Sequence, residues 1–264
     1  MKPNCFIKLT LAVCALAFTA CSGDDDKKVE TQESLFTDIK SSSDIDAVSD
    51  DLLYIIENEY IQQSTAGRSP QDTMNFLPEC TTITSTASGG TWQTTLDFGT
   101  TGCTMPNGNI LKGIILINGT TDFSAMSQTI NYSFDGFYHN NRLIEGDRFV
   151  TRMLSNNNGN PQSTIDLDLS ITFPDGAVVT RQGERVWEWV EGAGTFLNPL
   201  DNVYLVTGLW ITTFPENSLT TEVGTPLRIA GNCAHITQGT LNFSTNSNGL
   251  LLDYGTGSCD ILLL

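Results

Sequence analysis

Two stretches of this chain repeat one another, and each is bounded by a pair of cysteines. The first runs from Cys80 to Cys103 and ends in LDFGTTGC, and the second runs from Cys233 to Cys259 and ends in LDYGTGSC. Two runs of β-type residues, separated by a turn signal, lie inside each stretch. The outer ends of two hairpin strands are neighbours. The repeat therefore predicts the disulfides Cys80–Cys103 and Cys233–Cys259, each closing its own hairpin.

The first twenty residues are typical of a signal peptide and are left out of the fold. Lys2 and Lys8 precede an apolar run over residues 9–20. This run is too short to cross a bilayer as a helix, which needs about 20 apolar residues. Its end resembles the lipobox of bacterial lipoproteins, with Phe18 in place of the usual leucine, and predicts acylation of Cys21. An ordinary signal peptide with an incidental cysteine is the alternative.

Residues 21–43 are interpreted as an acidic, disordered tether, because the segment begins SGDDDKK and has few apolar residues. Carboxylates directly after a lipidated cysteine resemble the export signal of surface lipoproteins in the Bacteroidetes. We therefore expect a chain held in the outer membrane by its N-terminal lipid and exposed at the cell surface. A solvated spacer is the simpler alternative.

The net charge and the cysteines indicate which partners, cross-links and metal sites to expect. The formal net charge is −17, and a surface this acidic repels nucleic acid, so none is expected as a partner. An exported chain meets an oxidising compartment, where the four cysteines that remain after Cys5, Cys14 and Cys21 are set aside favour disulfides. A metal site is disfavoured because the four cysteines contain no Cys-x-x-Cys pair. We predict no cofactor.

One helix is predicted before the β region. Apolar residues recur at helical spacing over residues 44–61, where Ser43 or Asp44 can cap the first turn. With the linker that follows, this segment spans residues 44–79, and residues 80–264 are interpreted as a single antiparallel β domain. The helical positions are Ile45, Val48, Leu52, Ile55 and Ile56.

The residue pattern over 80–264 predicts a mainly β fold, which we expect to be an antiparallel meander of about eleven or twelve strands. Residues Ile165–Phe173 alternate between apolar and polar side chains and are expected to form one strand. A turn at residues 174–176 leads into a long strand from Ala177 to about Glu191. A large twisted sheet, a two-sheet sandwich and a partly closed barrel all remain open.

Several short motifs lie along the β region: LDFGTTGC, Lys112-Gly113, IEGDR (Ile144–Arg148), FPDG (Phe173–Gly176), EWVEG (Glu188–Gly192) and LDYGTGSC. Together they look like those of a family of Bacteroidetes outer-membrane lipoproteins. They cover most of residues 80–264 and lie at turns and strand ends, so they imply a fold rather than a chemistry. Members of that family tend to continue for another strand or two after the last cysteine, so an end at Leu264 implies a final edge that is either incomplete or unusually short.

Two groups of residues could form a binding site. Arg185, Trp187 and Trp189 share one strand face, where aromatic rings could hold a glycan, and burial in the core is the alternative. Asp166 and Asp168 share another face and could bind calcium or act as the acid and base of a glycosidase. A solvated sheet face is the alternative for this pair.

The remaining candidates favour structural roles. His139 is expected in a solvated turn and His235 in a strand, and no Gly-x-Ser-x-Gly elbow accompanies either. Asp97 and Asp253 recur before a glycine, which favours a role at a turn or strand end. The sequence thus favours a non-enzymatic binding or structural role at the envelope, with a glycan or protein as partner. A polysaccharide hydrolase and a carrier of a lipid or apolar ligand are the alternatives.

Overall fold

The computed structural model describes the backbone of residues 25–65, 77–195, 199–233, 236–246 and 248–259. The chain divides into two units, residues 1–34 and 35–264. Within the first unit, the described residues 25–34 are helical. The contacts between helix and sheet discussed in the following paragraphs all lie within the second unit. No helix among the described residues is both long and apolar enough to cross a membrane.

The described chain is one helix followed by one large antiparallel sheet, which confirms the predicted mainly β class. A short 3₁₀ helix, Pro199–Asp201, precedes β11. The elements are α1 (Asp25–Ser64), β1 (Thr82–Ser88), β2 (Thr91–Asp97), β3 (Cys103–Thr104), β4 (Ile110–Thr120), β5 (Ser127–His139), β6 (Arg142–Glu145), β7 (Asp147–Met153), β8 (Gln162–Asp166), β9 (Leu169–Thr172), β10 (Val178–Glu191), β11 (Val203–Thr213), β12 (Ser218–Ala230), β13 (Ile236–Ser244) and β14 (Gly249–Thr256).

A single sheet contains all fourteen of these strands, so the two-sheet sandwich is excluded. Its main path follows the chain, β1-β2-β4-β5-β6-β9-β10-β11-β12-β13-β14, and the hydrogen-bonded path ends at β1 and β14. Two pairs of short strands lie side by side between the long strands β5 and β10. One pair is β6 and β9, and the other is β7 and β8, and all of these strands pair antiparallel.

The alternating segment 165–173 is two strands, and the prediction of one continuous strand is wrong. β8 ends at Asp166 and pairs with β7, whereas β9 begins at Leu169 and pairs with β6. At the break the Asp166 carboxylate accepts the backbone N–H of Asp168 at 2.9 Å. Aspartate favours such local turns over a strand ladder. The alternation survives the break, because Ile165, Leu167, Leu169 and Ile171 are all buried.

The two cysteine-bounded repeats are the hairpins β1-β2 and β13-β14 with their flanks. The disulfides are Cys80–Cys103 and Cys233–Cys259, the pairing that the repeat predicts. The repeated aspartates have the predicted turn role. The Asp97 carboxylate accepts the N–H of Gly99 at 2.8 Å, and the Asp253 carboxylate accepts that of Gly255 at the same distance.

The glycines of these turns are required by the backbone. Gly99 and Gly255 have φ values of +70° and +83°, in the left-handed region that residues with a Cβ rarely adopt. Each unit of the repeat is therefore a hairpin whose second strand carries an aspartate–glycine hydrogen bond, at the end of β2 and just before the end of β14, a few residues ahead of the second cysteine.

The helix begins earlier than predicted. It starts at Asp25 rather than near residue 44, so part of the segment predicted to be a disordered tether is helical. Leu35 is buried and Ile39 packs on the core, one helical turn apart. The Asn217 amide at the β11-β12 turn also donates to the Asp38 carboxylate at 2.6 Å. These two apolar positions are too few in a polar segment for composition to reveal the helix.

The sheet curves around α1. Neighbouring helix residues reach strands far apart in the sheet order: Asp51 binds Asn109, which directly precedes β4, whereas Asp50 lines a cavity together with Tyr254 on β14. A flat sheet would separate β4 from β14 by about 38 Å, because neighbouring strands are about 4.8 Å apart. The core fills the space between them. It includes the predicted helix positions Ile45, Val48, Leu52, Ile55 and Ile56, which are all at most 1% exposed.

Candidate functional site

The polar residues of α1 are paired with residues on the inner face of the sheet. The helix supplies carboxylates, and the sheet supplies arginines on β6, β7 and β10 and a histidine on β5. The strongly acidic composition of α1 is thus complemented by arginines that are distant in the chain. The pairs are Asp51–His139, Asp44–Arg142, Glu57–Arg152, Asp46–Arg181 and Asp50–Arg185.

Arg181 is the most buried of these arginines. Its side chain is 0% exposed, and its guanidinium donates to the Asp46 carboxylate and to the backbone carbonyl and hydroxyl of Ser42. The Thr212 hydroxyl accepts two further bonds, at 3.2 and 3.1 Å. Burial lowers the pKa of Arg181, and the charge of Asp46 opposes that change. This cluster connects the middle of α1 to β10 and β11.

Arg185 lies on the same face of β10, since strand residues four apart point the same way. Its Nη1 donates to the Asp50 carboxylate at 2.7 Å and lies 3.9 Å from Asp46. The guanidinium also lies over two indole rings, 5.6 Å from the centroid of Trp187 and 5.1 Å from that of Trp210. Cation–π contacts of this kind stabilise a buried cation.

Asp50 is the titratable group of this cluster. Its pKa is raised to about 6, chiefly by burial and also by nearby Asp46 and Asp51, while the charges of Arg185 and Arg181 oppose the rise. The Asp50 side chain nevertheless retains 41% of its accessible surface. The raised pKa and the accessible surface are both explained if the Asp50 carboxylate faces a cavity within the protein rather than bulk water.

Such a cavity, of about 320 Å³, lies between α1 and strands β10 to β14. Its volume is at the lower end of the range for small-molecule sites and matches that of about ten water molecules. Most of the wall is apolar or aromatic, and the polar groups come chiefly from the helix side. The lining residues are Ser43, Asp46, Asp50, Arg185, Trp187, Trp210, Leu227, Ile229, Cys233, Ile236, Leu241 and Tyr254.

Three of the lining residues carry buried nitrogen donors that lack a hydrogen-bond partner among the described residues. These are Nε of Arg185 and the indole Nε1 atoms of Trp187 and Trp210. Buried donors are almost always paired in folded proteins. Tyr254 contributes a neutral hydroxyl, because burial and the charge of Asp46 raise its pKa to about 12. The cavity therefore combines an apolar wall with unpaired donors.

The structure brings together two of the three residues predicted as a ligand platform. Arg185 and Trp187 both line the cavity, and neither tryptophan of the predicted strip is fully buried. Trp189 does not line the cavity. It lies two residues beyond Trp187 on β10, and its ring stacks on that of Tyr204, with the two ring centroids 5.6 Å apart. The strip faces the inner side of the sheet and both tryptophans are half-buried, between the exposed platform and the core burial that the sequence leaves open.

The carboxylates of Asp166 and Asp168, which the sequence predicts as a binding pair, both lie close to one arginine. Arg148 lies 3.1 Å from the carboxylate of Asp168 and 3.9 Å from that of Asp166. No cluster of three or more histidine, cysteine or acidic residues that could hold a metal ion occurs in the part of the chain that the structure describes. Asp166 also bridges the strand break, so its role in the described structure is to form a turn.

His139 is not the solvated turn residue that the sequence predicts. It ends β5, is 1% exposed, and its Nε2 lies 2.8 Å from the Asp51 carboxylate. The amides of Asn107 and Asn109 donate to the same carboxylate, each at 2.7 Å. The turn prediction fails because the partner of His139 lies on α1, 88 residues earlier in the chain, and no local pattern indicates it.

Other cavity residues had no sequence signal strong enough to select them. Asp46 and Asp50 are one helical turn apart, which places them on one face of α1, but acidic residues are common along that helix. Trp210 occurs in a strand without a distinguishing motif, and Tyr254 belongs to LDYGTGSC, a motif that predicts a hairpin end rather than a binding residue. Cys21 and His235 lie outside the described residues. No family model matches the chain, and no curated protein or solved structure is similar to it.

Proposed function

We propose that the protein is a lipid-anchored envelope protein that binds a small, largely apolar ligand in the cavity between α1 and strands β10 to β14. The observation that carries this proposal is the cavity itself, with its largely apolar wall and its few polar groups, most of which come from α1. Small-molecule sites commonly have this composition. The proposal combines the predicted non-enzymatic binding role with the predicted alternative of an apolar-ligand carrier.

The wall of the cavity supports an apolar ligand. Leu227, Leu241 and Trp210 are at most 5% exposed, and Ile229 and Ile236 pack against the same core. An apolar ligand that displaces water from these side chains gains about 25 cal/mol for each Å² of apolar surface buried. Because the disulfide Cys233–Cys259 and the sheet hold this wall in place, little ordering is required on binding.

Filling the cavity should abolish binding. We expect Ile229→Trp to weaken the binding of a neutral fluorophore, 1-N-phenylnaphthylamine, at least about tenfold, because the indole occupies the ligand's volume. The measurement is fluorescence titration of the full chain carrying Cys21→Ser, which prevents acylation. Leu251→Trp is the matched control, since Leu251 is 60% exposed on β14 and does not line the cavity. Equal binding by the two variants would contradict the proposal.

The location of the protein is a separate part of the proposal. The signal segment, the lipobox ending at Cys21, the acidic residues after it and the likeness to Bacteroidetes lipoproteins support an outer-membrane protein that faces the cell surface. Protease added to intact cells should then remove the β domain while a periplasmic marker protein survives. Protection of the domain until the cells are lysed would contradict surface exposure and would direct the search for ligands to the periplasm.

A further inference from the structure

We propose that the ligand is an amphipathic acid, an apolar chain ending in a carboxylate or similar oxyanion, with the oxyanion held at Arg185 and the chain along the wall of β12 and β13. This inference rests on the proposed function and specifies its ligand class. It is drawn from the hydrogen-bonding groups around the cavity, from the contacts that Arg185 already makes and from the position of Asp50.

One edge of the Arg185 guanidinium is unused. Nη1 makes the ion pair with Asp50, while Nε is buried without a partner, and no described residue hydrogen-bonds to Nη2. The Nε–Nη2 edge of arginine matches a carboxylate bidentately. The side chain is only 4% exposed and Nε has almost no accessible surface, so a ligand oxyanion reaches this edge after a small shift of the guanidinium and is then shielded from water.

The other unpaired groups also favour a ligand that accepts hydrogen bonds. The indole N–H groups of Trp187 and Trp210 are donors only, and both lack partners among the described residues. A ligand with acceptor oxygens can satisfy such donors after a small shift of the rings, whereas an alkyl ammonium cannot. An unsatisfied buried donor is unfavourable, so the cavity gains most from acceptor atoms.

A cationic ligand is disfavoured by the aromatic residues. The rings of Trp187 and Trp210 could attract an organic cation, but Arg185 already lies over both of them. An ammonium group at this position would meet the guanidinium at close range. The cavity thus already contains its own cation.

Asp50 opposes an anionic ligand when it is charged, and this opposition can be relieved by a proton. The charged groups acting on Asp50 are Asp46 and Asp51 from α1 and Arg181 and Arg185 from β10. Tyr254 on β14 also lines the cavity but stays neutral. The pKa of Asp50 is about 6, so a nearby oxyanion promotes proton uptake, and affinity for the acid should rise as the pH falls through this region.

The test uses three ten-carbon probes that differ only in their head groups: decanoate, decylamine and decanol. Each displaces 1-N-phenylnaphthylamine from the full Cys21→Ser chain at about pH 8 and about pH 6, where decanoate stays ionised. We expect decanoate to bind most tightly and to bind about tenfold more tightly at the lower pH. Asp50→Asn should tighten decanoate binding about tenfold at about pH 8 and only about twofold at about pH 6, because about half of the aspartate is already protonated there.

Two further variants complete the test. Arg185→Lys keeps the charge but loses the bidentate edge, so decanoate should bind about tenfold more weakly while decanol is unaffected. Asp44→Asn is the matched control for Asp50→Asn, because Asp44 also pairs with a sheet arginine at 2.7 Å but lies outside the cavity lining. It should leave the binding of all three probes unchanged.

The outcomes separate the two proposals. If decanol binds but decylamine binds more tightly than decanoate, the inference is overturned and the proposed function stands. The same holds if Asp50→Asn weakens decanoate binding, or if neither Asp50→Asn nor Arg185→Lys changes it. If none of the three probes displaces the fluorophore and Ile229→Trp has no effect on fluorophore binding, both the inference and the proposed function fail.

Discussion

Replacing Arg181 by alanine should lower the free energy of unfolding by about 4 kcal/mol, the largest effect expected of any single ion pair in this protein. The substitution leaves the Asp46 carboxylate without its main partner and leaves Ser42 and Thr212 without a donor. A buried charge that loses its partner is strongly destabilising, and the vacated volume adds to the loss. Urea unfolding of the full Cys21→Ser chain measures the change.

A matched pair tests whether burial causes this effect. Arg142 makes the same kind of contact with α1, to Asp44 at 2.7 Å, but Asp44 is 48% exposed. Arg142→Ala should therefore cost less than about 1 kcal/mol. Replacing both Arg181 and Asp46 by apolar residues of similar size should recover much of the lost stability. A loss below about 1 kcal/mol for Arg181→Ala would show that the helix is not held to the sheet by this cluster.

Removing the second disulfide should lower the free energy of unfolding by about 3 kcal/mol. The double variant Cys233→Ala/Cys259→Ala opens a loop closed across 26 residues, and the unfolded chain gains the corresponding conformational freedom. The same experiment on Cys80 and Cys103, which close a loop across 23 residues, should give a similar loss. Urea unfolding under oxidising conditions provides both values.

The two disulfides should differ in their effect on the cavity. Cys233 lines the cavity, whereas Cys80 and Cys103 do not. Opening the second disulfide should thus also weaken binding of the fluorophore, while opening the first should not. A strong reducing agent should then lower the stability of the Cys233→Ala/Cys259→Ala variant only by the amount that the first disulfide contributes. Unchanged stability of both double variants would contradict a structural role for the repeat.

The parts of this fold that the sequence predicts well are local. The pairing of the four cysteines follows from two hairpins whose ends meet, and the aspartate and glycine before each second cysteine form one turn that depends on residues two apart. The apolar spacing of Ile45 to Ile56 identifies the buried face of α1 for the same reason. Periodicity and turn chemistry act over a few residues, so they can be recognised without the tertiary structure.

The start of α1 and the break at residues 166–168 show where local patterns are insufficient. Residues 35–43 are polar enough to suggest a tether, yet they are helical because Leu35 and Ile39 pack on a core built by distant strands. The segment 165–173 alternates throughout, yet it divides because its two halves pair with different strands. In both places, packing partners decide the structure and the local sequence only permits it.

The sequence by itself determined the β class, the two hairpins with their disulfides, the buried stripe of α1, and the common face of Arg185 and Trp187. The tertiary structure alone decided that this face is turned inward onto the helix, that Asp46 and Asp50 meet arginines 135 residues away, and that a cavity remains between them. The physical reason is the range of the interactions. Side-chain periodicity is set by the backbone geometry of each element, whereas charge pairing and cavities depend on how a curved sheet closes around a helix.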